Sequence, residues 1–320
     1  MLRLAAKALK ISLTVILAVV TLRSATASYQ WHDSSHFSRV IVNATGGIES
    51  RPREWFAQDK LVTDLRIVDV DPTNSAAAEQ KYTAIRSYLG SLGLSVGTYA
   101  SGMSVIPEAK ESYWPWAVVP IEWMPATSKY SGTWPSMPFR KLIDVSDPAT
   151  RHGLQMNIKR LWEQSPAPVR FIDNAAIHRS LGPSLAQPWI DYCKNMEEIR
   201  KLAESMSSLA IFNLALNVGE MSDEETTELI HAVGSGGILL EMPWAKGIQA
   251  NPAATERAKK RYRQLLDTGM GIILAPPGQG PSQELVDWVS TWRKPSDHLY
   301  FAGVFYKQPD QNLFGSQKPK

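Results

Sequence analysis

The feature that most constrains this chain is a repeated unit. An apolar run turns polar at its C-terminal end, and a stretch of helical periodicity follows. Val169-Arg170-Phe171-Ile172-Asp173-Asn174 is the clearest case, entered through Ser165-Pro166-Ala167-Pro168. The same form recurs at 65–71, 142–144, 211–213 and 238–241. Side chains alternate along a strand, so Phe171 and Asp173 share one face and Arg170 and Ile172 the other. A carboxylate at the end of a buried strand is costly unless it is paired, hydrogen-bonded or at work. Its repetition predicts that the strand ends converge on one polar site.

Strands are expected at 39–47, 65–71, 95–101, 140–146, 169–174, 209–217, 237–241, 271–276 and 299–306. Helical patterns lie between most of them, at 55–64, 76–93, 148–162, 188–207, 222–233, 253–267 and 281–293. Ser222-Asp223-Glu224-Glu225 is a capping box that opens one of these helices. Strands alternating with helices imply right-handed βαβ units and a parallel sheet. About eight such units fit an α/β chain built as a (β/α)8 TIM barrel. The runs number one more than a barrel needs. Either the run at 299–306 is the eighth barrel strand and one earlier run is no barrel strand, or it is a ninth strand added to the eight. A doubly wound open sheet is the alternative, but no G-x-G-x-x-G follows the first strand and no P-loop occurs. With 320 residues, 44% of them hydrophobic, the chain can bury one large core.

Residues 1–27 read as a secretory signal peptide. Arg3, Lys7 and Lys10 precede a short apolar run at 11–22, and Ala25-Thr26-Ala27 gives an A-x-A cleavage pattern. The run is too short to span a bilayer comfortably. The expected organisation is therefore a leader, a single domain at 28–307 and a polar tail at 308–320. The product is expected to be secreted or periplasmic, without stable membrane insertion after cleavage. Cys193 is the only cysteine, which excludes an intrachain disulfide and a Cys-based metal site. It reads as a small core residue in a helix. The net charge is +3 with both signs interspersed. The run 257–263 reads as a solvated helix face, and no aromatic-basic interleaving points to nucleic acid. The 11 Trp are many. Exposed Trp faces stack on sugar rings, whereas buried ones fill cores. The segment 103–139 is long, Trp- and Pro-rich and irregular, as binding loops and lids are.

In a barrel, residues at the C-terminal strand ends form the site. Those ends carry Asn43, Thr45, Asp69, Asp71, Tyr99, Ser101, Asp144, Asp173, Asn213, Asn217 and Glu241. No set of strand-end histidines suggests a catalytic zinc, and no G-x-S-x-G elbow suggests a serine hydrolase. Neither a metal nor a cofactor is expected. Carboxylates, amides and hydroxyls suit a neutral, hydroxyl-rich ligand. Two carboxyl groups are what glycoside hydrolysis requires: one protonates the leaving oxygen and the other attacks the anomeric carbon or activates water.

Leu142-Ile143-Asp144-Val145-Ser146, Phe171-Ile172-Asp173-Asn174 and Leu239-Leu240-Glu241 resemble the motif series of the endo-α-1,4-polygalactosaminidase family and related secreted glycoside hydrolases. Val169-Arg170-Phe171 stands where that family often has a Gly-rich lead. The resemblance implies an exported (β/α)8 barrel in which Asp173 and Glu241 are the catalytic pair. It implies cleavage of a polysaccharide, with an amino-sugar exopolysaccharide as one candidate. A non-catalytic glycan-binding barrel of the cell envelope or matrix is the alternative, and a structural envelope protein a further one.

The expected substrate-binding residues are Asp69, Asp71, Tyr99, Asp144, Asn174, Asn213, Trp244 and Trp123. Several carry a second reading. Asp71 precedes Pro72 and equally suits a turn cap. Asp144 either positions substrate or pairs with Arg140 or Arg170. Asn213 either holds a sugar hydroxyl beside the nucleophile or is a structural amide. Glu122, beside Trp123, is a second candidate acid. His178 follows the strand of Asp173 and reads as an incidental loop residue or a substrate contact. The partner expected is an oligo- or polysaccharide. Oligomeric state is open.

Overall fold

The computed structural model describes residues 39–44, 65–69, 87, 91, 95–101, 104–105, 141–164, 166–180, 188–240, 251–275 and 282–306. The strands are β1 (Arg39–Ala44), β2 (Leu65–Asp69), β3 (Ser95–Ser101), β4 (Ser104–Val105), β5 (Lys141–Leu142), β6 (Val169–Ile177), β7 (Leu209–Ala215), β8 (Gly237–Leu240), β9 (Gly271–Leu274) and β10 (Leu299–Tyr306). The helices are α1 (Pro148–Gln164), α2 (Trp189–Ser205), α3 (Asp223–Val233), α4 (Pro252–Leu266) and α5 (Gln283–Ser290).

Eight strands run parallel in the order β1-β10-β9-β8-β7-β6-β3-β2, and β1 pairs with both β10 and β2, so the sheet closes on itself. From α1 onward, helix and strand alternate, as right-handed crossovers between parallel strands require. The helices expected at 55–64 and 76–93 fall almost wholly outside the described residues. So do the leader, the tail and most of the Trp-rich segment.

One expected barrel strand is corrected. The run at 140–146 contributes two residues, Lys141–Leu142, which pair antiparallel with Ser104–Val105 and stand outside the ring. β3 pairs directly with β6, and Leu299–Tyr306 completes the eight. Ile143, paired by a single bridge, and Val145 follow this strand. Both are fully buried in the large core beside Leu154, Ile158 and Trp162 of α1. Burial against a helix and burial in a ladder leave the same hydrophobic signature.

Period two sorts the strand residues into two cores. Val169, Phe171, Ile211, Leu239, Ile273, Ala275 and Tyr300 form a small cluster inside the ring. Ile172, Phe212, Leu214, Ile238, Leu240, Ile272 and Leu274 join the large cluster under the helices. Arg170 is buried on that outer side. It donates to Thr98 Oγ1 at 2.9 Å and to the Trp162 carbonyl at 3.2 Å, and its guanidinium lies 5.2 Å over the Trp162 ring. These bonds satisfy the charge and tie β3, β6 and α1 together.

The local signals act as read. Ser222 and Glu225 form the capping box of α3, and Gly234, at φ 56°, ends it. Asn251 caps α4 and Ser282 caps α5 through their side chains. Trp162, Trp189 and Trp292 are buried, and Tyr262 stacks on Trp292 with ring centroids 5.7 Å apart. The described tryptophans therefore fill the core. Cys193 is buried in α2, and desolvation pushes its thiol well above the ordinary range, so it is inert packing. The basic run on α4 is ion-paired to neighbours: Arg257 to Glu220, Lys260 and Arg261 to Asp223, and Arg263 to Asp267 and Asp297. Among the described residues no helix is long and apolar enough to cross a membrane.

Candidate active site

β6 does not end at Asp173 and Asn174, as expected, but continues through a bulge to Ile177. Ile172 pairs with Phe212 and Ala176 with Leu214, so β6 advances four residues while β7 advances two. Asp173, Asn174 and Ala175 are set against the single residue Asn213. Bulges of this kind re-aim a side chain at a barrel rim. Asn174 supplies the conformation: its φ is 51°, in the left-handed region that Asn tolerates better than most residues.

The bulge surrounds Asp173 with donors. Oδ1 accepts from the Asn174 main-chain N–H at 2.9 Å and from Asn213 Nδ2 at 2.6 Å. Oδ2 accepts from Asn174 Nδ2 at 2.8 Å. Asn174 and Asn213 are buried, whereas Asp173 keeps partial exposure. Val169 and Phe171 face the ring interior, and the next residue on that face by period two is Asp173. The same count runs from Ile211 to Asn213 on β7. Across β3, Ser101 is level with Asp173, and Tyr99 is level with Phe171 one layer deeper. Asn174 and Asn213, expected to contact substrate, thus spend their amides on the carboxylate.

Asp144 is displaced from its expected place. It sits on the turn between β5 and α1, not on a barrel strand, and its Oδ1 accepts from Ser146 N at 3.0 Å and Ser146 Oγ at 2.5 Å. Arg151, buried at the start of α1, fixes that turn by donating to the Val145 carbonyl at 2.7 Å. Asp69 is the last residue of β2, opposite Ala44 of β1. Asn217 is past the end of β7, where its side chain accepts from Gly219 N and caps a short 3-10 turn. Asp71, Glu122, Trp123, Glu241 and Trp244 lie outside the described residues. Among the described residues no cluster of His, Cys, Asp or Glu could hold a metal ion.

His178, read from the sequence as an incidental loop residue or a substrate contact, belongs to a buried polar group. His178, directly after β6, is 1% exposed. Its Nδ1 lies 2.8 Å from Ser180 Oγ, its Nε2 lies 3.3 Å from Glu225 Oε1, and its ring meets Trp189 edge-on. Burial lowers the imidazole below its ordinary range, against the pull of Glu225. The capping box had marked Glu225 as a helix-start residue; nothing in the local pattern connects it with His178 forty-odd residues earlier.

No protein-family model matches this sequence, and no curated protein matches it. In fold it is similar to solved glycoside hydrolases. Aspergillus fumigatus Ega3, solved in complex with galactosamine, aligns with a TM-score of 0.51 at 9% identity, over 91% of this chain and 96% of that one. A glycoside hydrolase family 20 β-N-acetylglucosaminidase aligns at 0.49 and 13% identity, over 86% of this chain and 65% of its own length. An exo-β-N-acetylglucosaminidase of the same family from Vibrio harveyi, in complex with N-acetylglucosamine, aligns at 0.47 and 7% identity, over 89% of this chain and 55% of its own. The chain therefore spans less than two thirds of the two family 20 enzymes. At these identities the likeness is one of fold: a parallel α/β sheet of the kind that glycoside hydrolases use.

Proposed function

We propose that this chain is an exported (β/α)8 glycoside hydrolase that cleaves a polysaccharide, with an amino-sugar polymer as the substrate class, through Asp173 and Glu241. One observation carries the reading. Asp173 is held at the rim of a closed parallel barrel by three amide N–H donors, with both oxygens acting as acceptors. A carboxyl so placed presents both oxygens as hydrogen-bond acceptors, the orientation a base or nucleophile needs. Glu241 directly follows β8, and period two extends the inward series of Leu239 to it. It precedes Met242, Pro243 and Trp244, apolar neighbours that favour a protonated carboxyl. Asp173 lies on the fourth strand of the ring in chain order, and Glu241 comes directly after the sixth in sequence.

In this mechanism Glu241 protonates the glycosidic oxygen as its bond to the anomeric carbon breaks. Asp173 either attacks that carbon or takes a proton from the water that does. Asp69, Asp71, Tyr99, Asp144, Trp123 and Trp244 are proposed to line the cleft and contact the sugar. Asn174 and Asn213 act chiefly by holding Asp173. Residues 1–27 are proposed to direct export and to be removed after Ala27. N-terminal sequencing of material recovered from an exporting host checks this, and an intact Met1 on soluble protein contradicts it.

The functional test is release of reducing ends by the purified mature chain from a panel of microbial exopolysaccharides that includes galactosamine and glucosamine polymers. Cleavage of at least one is expected. A folded protein that binds a polymer saturably and cleaves none would establish the glycan-binding reading instead.

A further inference from the structure

We infer that His178 and Ser180 are positioning residues, which clamp the exits of β6 and β7 together and thereby fix the Asp173–Asn213 pair. This rests on the reading of Asp173 as the reacting carboxylate. The geometry behind it is separate from that reading.

The bulge creates the need. β6 and β7 are in register at Ile172 and Phe212, lose register, and regain it at Ala176 and Leu214. β3 holds the other edge of β6 only as far as Asp173, so past that residue the position of β6 against β7 depends on how firmly its far side is anchored. Beyond Ile177 and Ala215, where the ladder ends, one more main-chain bond runs from His178 N to the Ala215 carbonyl at 2.8 Å. After it the fastening passes to side chains. Ser180 Oγ accepts from Asn217 N at 3.2 Å, which joins the loop after β6 to the loop after β7. Asn217 in turn caps the 3-10 turn at Val218–Glu220 that leads into α3.

The ring of His178 orients Ser180. Ser180 N lies 3.2 Å from His178 Nδ1, and a main-chain N–H can only donate. Nδ1 is therefore an acceptor, and the neutral imidazole carries its proton on Nε2, toward Glu225. The Ser180 hydroxyl donates to Nδ1 and leaves its lone pairs for Asn217 N. Glu225 is itself fixed. Its Oε2 accepts from Ser222 N at 2.7 Å, and its Oε1 meets Arg179 at 3.0 Å. The charged groups around the imidazole are thus Glu225 from α3, Arg179 from its own loop and, farther off, Glu220 from the 3-10 turn. Protonating Nδ1 would set two N–H groups against each other. Only the Ser180 main-chain N–H would lose its acceptor; the Ser180 hydroxyl can reverse, accept from Nδ1–H and still accept from Asn217 N. Burial resists that protonation and favours the neutral, accepting Nδ1 at neutral pH.

NMR on the full mature protein, without substrate, tests this through the side-chain amide of Asn213, whose protons exchange slowly while Asp173 holds them. Three variants are compared: Ser180→Ala, His178→Leu, and His178→Asn, which keeps an acceptor near the Nδ1 position. Exchange at Asn213 is expected to quicken about tenfold in Ser180→Ala and His178→Leu, and to stay near the wild-type rate in His178→Asn. The ring 15N shifts of the wild type should report the Nε2–H tautomer. Unchanged Asn213 exchange in folded Ser180→Ala, or an Nδ1–H tautomer, overturns the inference. If His178→Leu does not fold, Ser180→Ala, which removes one oxygen, decides alone. A wild-type protein that cleaves no glycan yet shows this exchange pattern refutes the catalytic reading and leaves the clamp standing.

Discussion

At the residue scale the account turns on what Asp173 is given to bind. Among the described residues it accepts from one main-chain amide and two side-chain amides, and the bond of 2.6 Å comes from Asn213 on the neighbouring strand. Asn213→Asp keeps the shape and turns that donor into a second carboxylate. A hydrogen bond to a charged group contributes about 1.5–3 kcal/mol, so the change should cost roughly tenfold to a hundredfold in turnover. Comparing kcat with a melting curve of the same sample checks it. Full activity would show that Asn213 is only a packed amide. The pair itself was legible from the sequence, because the strands at 169–174 and 209–217 bring Asp173 and Asn213 to one face by simple alternation. The bulge was not. Alternation assumes one residue per step, and the left-handed Asn174 that breaks the count reads locally as an ordinary Asp-Asn strand end.

At the element scale the tight turn between α3 and β8 sets where the strand that precedes Glu241 begins. A Cβ on Gly236 would lie 2.7 Å from the Ala210 carbonyl and 2.9 Å from the Val233 carbonyl, both backbone atoms that cannot swing aside. Gly236→Ala should therefore destabilise the fold by about 1–3 kcal/mol, the usual range for forced overpacking. Chemical denaturation measures it; an unchanged midpoint would mean that the turn relaxes freely. The same scale explains the error at 140–146. Ile143 and Val145 are as buried as any barrel residue. They share one core with Leu154, Ile158 and Trp162 of α1 although only Lys141 and Leu142 form a strand, and hydrophobicity alone does not tell such a segment from a barrel strand. The capping box at Ser222 and Glu225 was legible because both halves of the signal lie within four residues. The partnership of Glu225 with His178 joins residues forty-odd positions apart and leaves no local trace.

At the scale of the whole molecule, alternation of strand and helix determines a parallel sheet, and closure follows once β10 returns to β1. Stability should carry the signature of the buried imidazole. Burial lowers the folded-state pKa of His178, so unfolding takes up a proton when the pH is below the ordinary value of about 6.5. Its contribution is fully present above that value and is lost as the pH falls from there through the lower, folded value. The thermal midpoint should decline as the pH falls below about 6.5, and less steeply in His178→Asn than in the wild type. Parallel curves for the two proteins would mean that His178 is protonated alike in both states.

The central claim is that a carboxyl pair does the chemistry at the mouth of this barrel. Its most direct test is turnover of a cleaved polymer by Asp173→Asn and Glu241→Gln, with thermal midpoints recorded on the same samples. Both substitutions keep shape and remove ionisation. Each should lose about 10²–10⁴ in rate, while its thermal midpoint stays near that of the wild type. Near-wild-type turnover in either variant would contradict the role given to that residue, and unfolding of both would show the pair to be structural.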